Sequence, residues 1–108
     1  MPLTRDFKET IRDRALRDPK FRKELLREAL EAMLSGEITV AKTILRDYIN
    51  ATVGFSSLAK ATRIPAKSLM RMFGPKGNPT AVNLFGVIAA LQDKTGVHLQ
   101  VRAVADAA

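Results

Sequence analysis

Residues 54–78, GFSSLAKATRIPAKSLMRMFGPKGN, constrain this chain more than any other stretch. Two short helical patterns lie on either side of Arg63-Ile64-Pro65, and Pro65 fixes a backbone angle suited to opening a new helix. Leu58 and Ala59 form the apolar side of the first pattern, which runs from about Phe55 to Thr62. Leu69, Met72 and Phe73 form that of the second. Two helices this short cannot bury enough surface alone, so the rest of the chain must supply a helical platform.

The flanking sequence reads as that platform. Leu3, Phe7, Ile11 and Ala15 recur four apart as a thin stripe on a charged first helix. Asp18-Pro19 is a helix start, followed by Phe21, Leu25, Leu26, Ala29, Leu30 and Met33 at helical spacing, with Ser35-Gly36 as the stop. On its polar face, Lys20 is spaced to pair with Glu24 and Arg27 with Glu31, so this helix reads as structural. Ile38, Ala41, Leu45, Tyr48, Ile49 and Val53 make a third helix closed by Gly54. After the turn-rich GPKGNP, Thr80 caps a last helix with an inner face of Leu84, Phe85, Ile88 and Leu91 and a stop at Gly96. Val97 to Arg102 then alternates apolar and polar, the period of a strand. A lone strand needs a partner, and the simplest is the same strand of a second copy, with Val97, Leu99 and Val101 at a homodimer interface. The alternative is an extended tail lying on its own core.

The expected fold is therefore all-α: a helix-turn-helix bundle with two N-terminal helices and a short C-terminal strand. Residues 1–36 form an N-terminal helical extension, 37–96 the central domain, and 97–108 a strand and tail. The chain of 108 residues fits one such domain.

Charge narrows the function. Residues 1–36 hold nine basic and seven acidic side chains, whereas 37–108 hold nine basic and four acidic. Lys60, Arg63, Lys67, Arg71 and Lys76 all fall in residues 54–78, which contain no acid. A basic excess concentrated on one helix pair is the electrostatic footprint of a nucleic-acid surface. Cysteine is absent and His98 is the only histidine, so no thiolate or histidine cluster exists to bind a metal, and no cofactor is expected. Glu37, Asp47, Asp93 and Asp106 are scattered, and the Ser and Thr residues have no activating base, so no catalytic residue is assigned. The Gly74-Pro75-Lys76-Gly77 loop lacks P-loop spacing and follows a helix rather than a strand. The N-terminus has no apolar run of a secretory signal, and residues 81–91 are too short to span a bilayer. A cytoplasmic protein without membrane contact is expected.

A helix, a tight turn and a basic second helix are the layout of a helix-turn-helix reader of double-stranded DNA. Ala66, Lys67, Met70 and Arg71 point outward on the second helix, with Ser68 on its flank. Lys67 and Arg71 can donate to guanine, while Ala66 and Met70 can meet a thymine methyl. Lys60, Arg63, Lys76 and Asn78 suit phosphates, as do Ser56 and Ser57 with the amides that open the first helix.

Leu58-Ala59 followed by Ile64 to Arg71 resembles the repressor-type (Cro-like, XRE-like) helix-turn-helix. A longer series occurs in order: Asp18-Pro19, Ile44 to Asp47, Leu58-Ala59, Ser68 to Met72, Gly77-Asn78-Pro79-Thr80, Ile88 to Leu91 and Val97 to Val101. It resembles the HigA-like addiction-module antidotes, the antitoxins of type II toxin–antitoxin pairs, over about Asp18 to Val101. Gly77 to Thr80 is the most specific segment. Two positions depart from the repressor pattern. Arg63 stands where glycine is usual, which implies a somewhat different turn. Ala66 stands where glutamine is frequent, which leaves more of the base reading to Lys67 and Arg71. The resemblance implies a homodimeric antitoxin that binds operator DNA, represses its own operon and neutralises a cognate RelE/ParE-like toxin, with residues 1–36 facing the toxin. The alternatives are a stand-alone helix-turn-helix transcriptional regulator and a protein-interaction module whose basic face meets an acidic partner.

Overall fold

The computed structural model describes residues 13–107, which are helical throughout apart from turns, loops and an extended C-terminal tail. Helix α1 is described over residues 13–17. It is followed by α2 (Pro19–Leu34), α3 (Ile38–Ala51), α4 (Gly54–Thr62), α5 (Ala66–Met72) and α6 (Ala81–Thr95). The early part of the four-apart stripe, at Leu3, Phe7 and Ile11, lies outside the described residues.

Local chemistry sets the boundaries. The Asp18 carboxylate accepts from the Lys20 and Phe21 amides at 3.0 and 3.3 Å, satisfying two donors that the first turn of α2 leaves free. At the other end, Gly36 takes φ 82°, and the Glu37 amide donates to the Ala32 carbonyl at 2.9 Å, a Schellman closure. Arg22 reaches back from α2 to the carbonyls of Ala15 and Leu16 at 2.6 and 3.2 Å, so the end of α1 is tied to α2. Thr80 caps α6 through the Asn83 amide at 3.2 Å, and Gly96, at φ 72°, ends it.

Helices α2 and α3 pack together, and α4 joins α3, α5 and α6. One core results. Leu26 and Ala29 of α2 meet Leu45, Tyr48 and Ile49 of α3, Phe55 and Leu58 of α4, Leu69 of α5 with Phe73 just beyond it, and Val87 and Leu91 of α6. The Tyr48 hydroxyl is the polar exception, and it donates to Thr95 Oγ1.

Three sequence expectations are corrected here. No strand forms among the described residues, and Val97 to Arg102 is extended without a ladder. The tail lies on its own molecule: Val97 and Leu99 are half-buried against the core, and the Leu99 amide donates to Gln92 Oε1 at 2.8 Å. The apolar positions Val97 and Leu99 are thus covered by the helical core, while Val101 is exposed. Phe85, expected inside, is 59% exposed, because the inward face of α6 is Leu84, Val87, Ile88 and Leu91. Finally, Glu24 pairs with Arg27 rather than Lys20. Arg27 bridges Glu24 and Glu31, and its hydrogen bond holds the Glu24 carboxyl below the usual range.

Candidate nucleic-acid interface

The turn between α4 and α5 is three residues long and is built around an unusual backbone. Arg63 has φ 60° and ψ 30°, the left-handed region, and it is the non-glycine residue with positive φ among those described. Its amide donates to the Ala59 carbonyl at 2.8 Å, which closes α4. Ile64 turns in against the core, Pro65 follows at φ −54°, and the Leu69 amide donates to the Pro65 carbonyl at 3.0 Å to start α5. Arginine adopts the conformation that glycine takes at lowest cost, with its side chain left in solvent.

Leu69 anchors α5, being fully buried, and Phe73 adds a second anchor one turn on. That fixes which side faces out. Lys67, Met70 and Arg71 are exposed and Ser68 is half-buried, whereas Ala66, expected to point outward, is half-buried against the core. Lys60, Arg63, Lys76, Asn78 and Ser56 are also exposed, and Ser57 is half-buried. None of the five cations forms an ion pair with a carboxylate among the described residues, whereas Arg14 and Arg27 do. In α2, by contrast, Arg27 is neutralised by Glu24 and Glu31, and no acid falls within residues 54–78. At the start of α4 no side chain caps the free amides, so they remain as donors beside Ser56 and Ser57.

The loop after α5 is held more tightly than its Gly-Pro composition suggests. Lys42, on α3, is only 8% exposed, and its Nζ donates to the carbonyls of Gly74 and Gly77 at 3.1 and 2.7 Å. Gly77 lies against the last turn of α5 so closely that a Cβ there would overlap the carbonyl oxygens of Arg71 and Met72. Sequence reading did not single out Lys42. The signal was its register: it sits four residues after Ile38 and three before Leu45, a cation inside an apolar stripe.

Of the residues expected at a dimer contact, Val97 and Leu99 are half-buried on their own core, and Val101 is 89% exposed. Among the described residues there is no cluster of His, Asp or Glu able to hold a metal, and no helix is long and apolar enough to cross a membrane. Comparison of the chain with protein-family models, curated proteins and solved structures gave no match.

Proposed function

We propose that this protein is a sequence-specific reader of double-stranded DNA, with α4 and α5 acting as a helix-turn-helix and α5 entering the major groove. One observation carries the reading: five exposed cations, unpaired among the described residues, surround a short helix that is anchored by Leu69 and Phe73 and presents Lys67, Met70 and Arg71 outward. In this reading Lys67 and Arg71 contact base edges, with Ala66, Ser68 and Met70 beside them. Lys60, Arg63, Lys76, Asn78, Ser56 and Ser57 hold phosphates and fix the register.

The resemblance to the HigA-like antidotes extends this to an antitoxin that works as a homodimer in the cytoplasm, represses its own operon and blocks a RelE/ParE-like toxin. Residues 1–36 are the toxin-facing segment in that account. Two half-sites read by a dimer should lie about one helical turn apart, roughly 34–36 Å.

The test is binding to a fluorescein-labelled duplex taken from immediately upstream of the protein's own gene, against a scrambled duplex of equal length, at low and physiological salt. Binding to the upstream duplex that persists at physiological salt while the scrambled one is released supports the reading. Equal binding that is lost with salt on both reduces the interface to a non-specific basic surface. The antitoxin part is tested separately, by whether the full-length chain protects cells from the toxin encoded beside it.

A further inference from the structure

Lysine is rarely buried without a carboxylate partner. Lys42 is such a case: its ammonium group is bonded to two backbone carbonyls, 32 and 35 residues away, and to no described acid. Both carbonyls belong to the loop between α5 and α6. The carbonyls near the end of a helix carry partial negative charge, so a cation placed there is favoured electrostatically. The same loop is closed by the Gly77 amide donating to the Gly74 carbonyl at 3.0 Å, and it packs through Gly77 against the end of α5. Between Gly74 and Pro79 its exposed polar side chains are Lys76 and Asn78. A loop with two glycines and two prolines would otherwise sample many conformations.

We infer that Lys42 is a positioning residue for the DNA interface: it locks the 74–78 loop onto the end of α5, so that Lys76 and Asn78 are held ready for phosphates. This rests on the DNA-binding reading above. Being buried, Lys42 itself makes no contact with DNA, and its effect runs through Lys76 and Asn78.

The experiment is a double-mutant cycle on the labelled upstream duplex with wild type, Lys42→Met, Lys76→Ala and the double variant. Lys42→Met should weaken binding by about fivefold or more, the cost of ordering two side chains that the wild type holds in place. It should leave the slope of log K against log salt unchanged, because no phosphate contact is deleted outright. Adding Lys76→Ala to Lys42→Met should cost much less than Lys76→Ala alone. Additive effects, or an affinity equal to wild type, overturn the role of Lys42. Failure of the wild type itself to prefer the upstream duplex overturns the DNA reading, and the positioning role with it. Two further readouts do not need DNA. Amide exchange at Gly77 should be faster in Lys42→Met than in wild type, and reductive methylation of wild type should spare Lys42 while modifying Lys76. Equal methylation of the two lysines shows that no latch exists, even where the variant fails to fold.

Discussion

The Tyr48 hydroxyl lies 2.9 Å from Thr95 Oγ1, which in turn donates to the Leu91 carbonyl at 2.7 Å, so one buried relay joins α3 to the end of α6. Tyr48 is fully buried, and removing its hydroxyl leaves Thr95 with one partner fewer. Tyr48→Phe should cost about 0.5–1.5 kcal/mol in urea unfolding at neutral pH. The pH dependence has a definite sign. Burial raises the phenol above its ordinary 10.0, while Thr95 and the Arg22 charge oppose the shift. The folded state therefore keeps this proton when the unfolded chain has begun to lose it. The stabilisation is complete below pH 10.0 and is lost as pH rises through the higher folded value. Urea midpoints from neutral pH upward should converge for wild type and Tyr48→Phe at the alkaline end. A gap independent of pH would show that the phenol does not titrate with folding.

Arg63 sets stability against binding. A non-glycine residue in the left-handed region costs roughly 1–2 kcal/mol, and glycine gives back about 0.4–1 through the greater freedom of the unfolded chain. Arg63→Gly should therefore stabilise the fold by up to about 1 kcal/mol, raising Tm by several degrees, while weakening DNA binding and lowering its salt slope by about one. Arg63→Ala should weaken binding equally without the gain in stability. Thermal unfolding and anisotropy on the same three proteins check both halves.

Gly77 and Gly74 make a matched pair. A Cβ at Gly74 would meet the Arg71 and Met70 carbonyl oxygens at 3.4 and 3.5 Å, ordinary contact, whereas one at Gly77 would overlap backbone. Gly77→Ala should cost about 1–3 kcal/mol and Gly74→Ala within about 0.5 kcal/mol, measured as shifts in the urea midpoint.

These residues show how far the sequence could be read. The helix starts at Asp18-Pro19 and Thr80, and the stops at Gly36 and Gly96, were legible because capping is local: a side chain or a glycine answers to backbone a few residues away. The two short helices around Arg63-Ile64-Pro65 were legible for the same reason. What escaped was non-local. Whether Phe85 or Val87 faces inward depends on how α6 is rotated against α4, and the period alone allows either. Alternation in Val97 to Arg102 signals one covered face but does not say whether a strand or a helical core covers it. The candidate site divides the same way. Exposure of Lys67, Met70 and Arg71 followed from the spacing of Leu69 and Phe73, but the link from Lys42 to Gly74 and Gly77 spans more than 30 residues and needed the fold. The Gly77-Asn78-Pro79-Thr80 segment contains at least two structural requirements: the close packing of Gly77 and the Thr80 cap.

If α5 reads base sequence, the ratio of affinities for the upstream and scrambled duplexes reports it. It should be measured at physiological salt for wild type and for the Lys67→Ala, Arg71→Ala double variant. The wild-type ratio should be large, and the variant, folded and with the wild-type molar mass, should lose it at about 1–3 kcal/mol per base contact removed. A wild-type ratio near one, or a ratio unchanged by the two substitutions, would contradict base reading by α5.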